Sequence, residues 1–221
     1  MNVEQARFNM IEQQIRTWDV LDTEVLALLS VVRREEFVPA AYRSLAFADL
    51  EIPLLGSTTP GPRMWAPKLE ARVVQELRLL LSDDVLEIGT GSGYLSALLA
   101  HRSASVTSVE IDPALAESAV AKLRSKGIAN ARVAVGDGSR GWSTGQLFDA
   151  IVVTASTPIL PDSIVAQLKP GGRMFAIVGT EPAMHGRILT RDPSGDVVAR
   201  DLFETVVAPL VNALQPERFV F

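Results

Sequence analysis

The sequence predicts an α/β fold: a mostly parallel sheet, an antiparallel C-terminal hairpin and a helical N-terminal extension. Three observations predict it. Between Val85 and Val178, short apolar runs alternate with helical patterns, the signature of βαβ units whose parallel sheet is covered on both faces. The first third carries apolar residues at three- and four-residue intervals instead. Near the end, Asp192-Pro-Ser-Gly-Asp196 is a turn-rich stretch between two strand-like segments.

In the extension, Ile11 and Ile15 fit one helix, and Val25, Leu28, Leu29 and Val32 a second that Asp22 caps. From Phe37 to Pro67 the pattern dissolves and five prolines (39, 53, 60, 62 and 67) mark an irregular segment. Pro67, a favourable first-turn residue, opens a helix with Leu69, Val73, Leu77 and Leu80 on one face. Strands are predicted at Val85–Gly89, Ser105–Glu110, Ala131–Val135, Ala150–Thr154 and Met174–Val178. The helices between them fall at Tyr94–His101, Pro113–Lys126 and Pro161–Leu168, the last stopped by Pro170-Gly-Gly172. Arg187–Thr190 and Val197–Thr205 form the hairpin, so five parallel strands closed by an antiparallel pair are expected. One domain is expected, with residues 1–66 as extension and substrate-side loop, 67–205 as core and 206–221 as tail.

Composition narrows the function. A net charge of −5 leaves no strong field to gather nucleic-acid phosphates, so no nucleic-acid partner is expected. The chain has no cysteine, which excludes disulfides, thiolate catalysis, iron–sulfur clusters and cysteine zinc sites. His101 reads as the surface end of a helix and His185 as part of a loop after the fifth strand, leaving no evident general base and no metal site. No apolar run reaches the ~18 residues of a membrane span, and a cytoplasmic protein without a membrane partner is expected.

The informative segment is Val85-Leu-Glu-Ile-Gly-Thr-Gly-Ser-Gly-Tyr94. A strand that ends in Glu87-Ile88-Gly89-Thr-Gly91-Ser-Gly93 and runs into a helix lets backbone approach a ligand closely and offers free N–H groups. A dinucleotide site needs a third glycine where this chain has Tyr94, and Glu87 would repel a pyrophosphate. The same carboxylate can orient the amino-acid end of a zwitterionic cofactor, which points to S-adenosylmethionine. Glu110, 21 residues beyond Gly89 and next to Ile111, can accept both hydroxyls of a ribose. Asp112 reads instead as the cap of the helix opening at Pro113. Asp137, between Gly136 and Gly138, suits an adenine amino group; a plain Asp-Gly turn is the competing reading.

These residues resemble the protein-L-isoaspartate (D-aspartate) O-methyltransferases, a class I methyltransferase family with a Rossmann-like fold. The likeness includes Met10-Ile-Glu-Gln-Gln-Ile15, Val32-Arg-Arg-Glu-Glu-Phe-Val-Pro39 with Tyr42, the loop Glu87–Tyr94, and Gly136-Asp-Gly138 with Gly141-Trp142. It continues through Phe148-Asp-Ala-Ile-Val-Val-Thr-Ala155 and Gln167-Leu-Lys-Pro-Gly-Gly-Arg173. The resemblance implies S-adenosyl-L-methionine contacts from Glu87, Ile88, Gly89, Gly91, Gly93, Glu110, Ile111, Asp137 and Gly138, with Thr154 beside the transferred methyl. A strand-end threonine satisfying backbone is the other reading of Thr154. The implied acceptor is the carboxylate of an isoaspartyl or D-aspartyl residue in a damaged protein or peptide.

One segment departs from the family. Members carry a stretch similar to Gly-Gln-Thr-Ile-Ser-Gln-Pro, whose serine helps hold the substrate, whereas this chain has Gly56-Ser-Thr-Thr-Pro-Gly-Pro62. Pro60 falls on the serine position and supplies neither hydroxyl nor N–H. Ser57, Thr58 or Thr59 can substitute on a shifted register, and Thr59 joins Thr154 as a candidate at the reacting end. Arg63-Met-Trp65 replaces a more apolar, tyrosine-led run: Trp65 either stacks on an acceptor or packs, and Arg63 either pairs with a substrate carboxylate or stays exposed. A methyltransferase of the same fold acting on a different acceptor, a small molecule or another protein group, and a catalytically silent cofactor-binding protein are therefore the alternatives.

Overall fold

The structure is a computed structural model, described here over residues 2–54, 61–142 and 145–217. The Asn2 side chain accepts from the Gln5 N–H at 3.2 Å and starts α1 (Val3–Met10), which a π-helical turn (Ile11–Ile15) extends. Asp22 caps α2 (Thr23–Val31) as expected, accepting from the Glu24 and Val25 N–H groups at 2.9 and 3.3 Å. The proline-rich stretch is not wholly irregular, because β1 (Ile52–Pro53) and β2 (Arg63–Met64) pair antiparallel. Two residues per strand give no period for a pattern to reveal.

Pro67 occupies the first turn of α3 (Pro67–Leu77) as expected. The helix ends before Leu80, however, because Arg78 turns left-handed (φ 45°). The Arg173 side chain receives the carbonyls left over there, donating to Leu77 O at 2.5 Å and Arg78 O at 3.0 Å. Leu80 is thus an exposed residue rather than part of the buried face.

The core follows as β3 (Asp84–Ile88), α4 (Tyr94–Ala100), β4 (Ser105–Glu110), α5 (Pro113–Ser125), β5 (Ala131–Val135) and β6 (Phe148–Thr157). It continues with α6 (Asp162–Val165), β7 (Leu168–Thr180), β8 (Ala183–Arg191) and β9 (Val197–Thr205). The sheet runs β5-β4-β3-β6-β7-β8-β9, with the first five strands parallel and β8 and β9 antiparallel to their neighbours. That is the expected topology, with two local corrections. α6 stops at Val165, well short of Pro170-Gly171-Gly172, and those residues instead form a bulge within β7, where partners jump from Phe148↔Leu168 to Ala150↔Arg173. His185 lies inside β8, opposite Val178 and Glu204, not in a loop.

Alternation along the central strands divides the interior. Val85, Ala150 and Val152 face a core shared with α3, α4 and the N-terminal helices, while Leu86, Ile88, Ile151 and Val153 face a second core on the opposite side of the sheet. A buried ion pair fastens the extension to this body. Arg34, fully buried, meets Glu70 of α3 and also donates to Ala46 O at 3.0 Å and Trp65 O at 2.6 Å. Removing one partner of such a pair costs ~3–5 kcal/mol. Among the described residues, no helix is long and apolar enough to cross a membrane.

Candidate functional site

In the strand order, β3 is followed on one side by β4 and on the other by β6, and the crevice at the carboxyl ends of strands around such a reversal is where α/β sheets bind ligands. A cavity of about 480 Å³ lies there. Its floor is the glycine loop between β3 and α4. Gly89 takes φ +100°, and a Cβ there would stand 2.2 Å from Thr154 Oγ1, so only glycine fits. At Gly93 the backbone approaches α5 so closely that a Cβ would lie 3.1 Å from the Ala119 Cβ. Tyr94 turns away from the cavity into the core, its ring 5.5 Å from Phe37 and under the Arg34 guanidinium at 5.4 Å.

Glu87 is fully buried on the α4 side of β3 and lines the cavity. One carboxyl oxygen, Oε2, accepts from Ser96 and, at 2.6 Å, from Ser108; the other, Oε1, is buried with no hydrogen-bond partner. Burial pushes the carboxyl up to about 8, the two serine hydroxyls pull it down in part, and Glu110 pushes it further up. An orphaned buried oxygen at a ligand cavity is open to a ligand group, and an ammonium, whose charge would favour the ionised carboxylate, suits it.

Glu110 closes β4 and ties the loop down. Its Oε2 accepts from Gly91 N at 2.7 Å and its Oε1 from Asp112 N at 3.1 Å. Each oxygen keeps a further lone pair for a ribose hydroxyl. Asp112 caps α5 as expected, accepting from Ala114 and Leu115 N–H groups at 2.8 and 3.1 Å. Past β5, Asp137 accepts from Ser139 N at 2.8 Å and from the Asn212 side chain at 2.8 Å. These bonds, the Ser139 N–H first, hold its carboxyl below the usual carboxylate range. Ile88, Ile111 and Gly138 also line the cavity, and Gly138 sits so close to Ile88 that a Cβ would be 2.8 Å from its Cγ2. Thr154 lines it too, with its hydroxyl on the carbonyls of Ile88 (2.9 Å) and Gly89 (2.5 Å), the geometry of a threonine that satisfies backbone. Gly93 is not among the lining residues and acts through packing on α5.

Arg63, Met64 and Trp65 also line the cavity. Trp65 is 5% exposed, packed in the core and lining the cavity at once. Thr59, Ser57, Thr58 and Pro60 lie outside the described residues. His101 hydrogen-bonds Ala97 O at the end of α4, and neither it nor His185 reaches the cavity.

Sequence reasoning missed the last wall. After β9 the chain returns along β6, with Ser156 N donating to Ala208 O at 3.0 Å and Leu210 N to Ser156 O at 2.8 Å. Ala208, Pro209, Leu210 and Val211 thereby line the cavity. Asn212 then fastens the strap to Asp137, and Arg140 donates to Asn212 O at 2.9 Å. The apolar run Val206-Val-Ala-Pro-Leu-Val211 was the available signal, although only Val207 of its valines is buried and Val206 and Val211 stay exposed.

A sequence model of the family described as protein-L-isoaspartate(D-aspartate) O-methyltransferase matches residues 5–215. The protein-L-isoaspartate O-methyltransferase 1 of Rhodopseudomonas palustris strain HaA2 is 40% identical over 207 residues, 93% of this chain and 83% of that protein. A protein-L-isoaspartate O-methyltransferase from Gloeobacter violaceus is 39% identical over 204 residues, 92% of this chain and 97% of that one. Among solved structures, a protein-L-isoaspartate O-methyltransferase superposes with a TM-score of 0.80 at 24% identity, covering 92% of this chain and 65% of that chain. A Plasmodium falciparum protein assigned to the same activity, in complex with S-adenosyl-L-homocysteine, gives 0.75 at 19% identity, covering 95% and 98%. The structural matches speak for the fold, the class I methyltransferase arrangement, and the sequence matches for descent. On those matches, the chain belongs to the protein-L-isoaspartate (D-aspartate) O-methyltransferase family.

Proposed function

We infer that the protein is an S-adenosylmethionine-dependent O-methyltransferase that esterifies the free carboxylate of L-isoaspartyl or D-aspartyl residues in damaged proteins. Beyond membership of the family, the observation that carries the reading is a cavity whose residues fit the cofactor and whose described lining offers carboxyl groups but neither histidine nor lysine as a base. A carboxylate acceptor has a pKa near ~4 and is already ionised at neutral pH, so it requires none.

The residues fit the cofactor on two counts: Glu87 Oε1 is a buried acceptor without a partner, and Gly89 forms a cradle that any Cβ would fill. Glu87 would hold the ammonium group, Glu110 the ribose hydroxyls, and Asp137 with Gly138 the adenine edge. When bound, the cofactor supplies a methyl on a positively charged sulfur, which departs as a neutral thioether once an acceptor oxygen takes the methyl. The chain's own task is positioning. Glu110 fixes the glycine loop, Thr154 fixes the Ile88 and Gly89 carbonyls, and Trp65 with the strap at Ala208–Val211 walls off water, so that nucleophile and methyl meet at near-attack distance. We place this activity in the cytoplasm, on protein or peptide substrates.

The test is incubation with methyl-labelled cofactor and an isoaspartyl peptide beside its aspartyl counterpart. Base-labile ester should form on the isoaspartyl peptide alone. Cofactor binding without ester above background would overturn the substrate. The substitutions at Pro60 and Trp65 favour a second reading, a different acceptor on the same machinery, which an acceptor screen in cell extract would then reveal.

A further inference from the structure

A carboxylate acceptor meets a charge problem in this cavity. Among the described residues lining it, six carry carboxyl groups (Glu51, Glu70, Glu87, Glu110, Asp112 and Asp137) and one, Arg63, carries a positive charge. Glu70 is neutralised by Arg34, and burial favours the uncharged form of Glu87. The remaining carboxylates leave the walls net negative, and they repel an incoming anion.

Arg63 is placed to answer that repulsion. It comes from β2, in the segment before the core, whereas the carboxylates assigned to the cofactor stand at or just beyond the ends of β3, β4 and β5. Its backbone is held from both sides, by the pairing of Pro53 with Arg63 and Ile52 with Met64, and by the Arg34 bond to the Trp65 carbonyl at 2.6 Å. The side chain is only partly buried and so reachable from solvent. Glu51 attracts it, yet the two form no contact ion pair among the described residues, and the fork of guanidinium donors stays available.

We propose that Arg63 determines acceptor specificity, pairing its guanidinium with the carboxylate that accepts the methyl group. The inference rests on the carboxyl-methylation reading above. Contact with one carboxylate oxygen turns the other toward the methyl, and the pairing is charge-assisted. It also separates substrate from product. Methylation converts the anion into a neutral ester, the attraction to Arg63 is lost, and the product leaves a site that still favours unmodified substrate.

Arg63→Gln, Arg63→Lys and the unaltered protein decide the matter in two separate measurements: kcat and KM on an isoaspartyl peptide, and calorimetry of that peptide on protein saturated with S-adenosylhomocysteine. Loss of a charge-assisted pair predicts a roughly tenfold rise in both KM and peptide Kd for Arg63→Gln, a smaller effect on kcat, and substantial recovery in Arg63→Lys. The peptide Kd of the unaltered protein should also weaken with salt more steeply than that of Arg63→Gln. Unchanged peptide affinity in Arg63→Gln overturns the proposal. So does weakened S-adenosylhomocysteine binding with peptide affinity intact, which would assign Arg63 to the cofactor's carboxylate. Peptide that binds but is not methylated sinks the proposed function and leaves Arg63 to be judged by calorimetry; peptide that does not bind at all overturns Arg63 as well.

Discussion

Glu87 offers a direct measurement of the electrostatics at the site. An unfolded glutamate ionises near 4.5, whereas burial pushes the folded carboxyl up to about 8, against the partial relief of the Ser108 and Ser96 hydroxyls and with Glu110 adding to it. Between those values the folded chain holds a proton that the unfolded chain has released. Its stabilising effect is therefore complete below the unfolded pKa and is lost as the pH rises through the folded one. The full separation is worth about 5 kcal/mol at ~1.4 kcal/mol per tenfold, of which about 4 kcal/mol falls between about pH 5 and about pH 8.5. For a chain of this length, that corresponds to roughly 10 °C in Tm. Glu87→Gln keeps the shape and has no proton to lose. Thermal unfolding of both proteins without cofactor, at constant ionic strength from about pH 5 to about pH 8.5, should show the variant gaining on the parent by roughly that interval. A Tm difference that stays constant across the range would refute the picture of a buried, neutral carboxyl.

Three further substitutions probe the same cavity. Gly89→Ala combines φ +100° with a Cβ 2.2 Å from Thr154 Oγ1, and should cost about 2–4 kcal/mol in denaturant unfolding together with most of the cofactor affinity; full calorimetric affinity would contradict the cradle. Glu110→Ala frees Gly91 N and Asp112 N and removes the ribose acceptor, so S-adenosylhomocysteine should bind about 1–3 kcal/mol more weakly, and an unaltered Kd would remove Glu110 from the site. Thr154→Val should lower stability by about 1 kcal/mol, with Thr154→Ser restoring it, if the hydroxyl serves the Ile88 and Gly89 carbonyls. A loss of methyl-transfer rate at unchanged stability would move Thr154 to the reacting methyl instead.

What the sequence revealed and what it hid follow from the range of the interactions involved. The central strands were legible because burial on both faces overrides everything else, as at Ile151–Val153 with 0% exposure, whereas the edge strand β5 was legible from its alternation with the helices. Asp22 and Asp112 were legible as caps because a cap bonds to N–H groups two and three residues away. The glycine loop and Glu110 were legible for a similar reason, since backbone geometry and strand ends fix them locally. By contrast, the end of α3 depends on Arg173, 95 residues beyond Arg78, and no local pattern encodes that bond. The bulge at Pro170-Gly171-Gly172 resembles a helix stop in composition, and only the register against β6 distinguishes the two. Likewise, the sequence around Asp137 suggests a carboxylate waiting for a ligand, yet Asn212 from the far end of the chain already occupies one of its oxygens.

The Arg34–Glu70 pair bears on how the protein can be dissected. A fragment beginning at Pro67 would keep the glycine loop, Glu110 and Asp137, and on paper would retain the cofactor side of the cavity. It would also keep Glu70 while discarding its counter-charge, leaving a carboxylate in an apolar interior that Arg34 now neutralises. The neighbouring Phe37–Tyr94 contact would be lost with it, exposing the root of α4 directly behind the loop. The N-terminal third therefore behaves as structural foundation, and an attempt to transplant the core alone onto another scaffold would have to replace both the charge and the ring that it supplies.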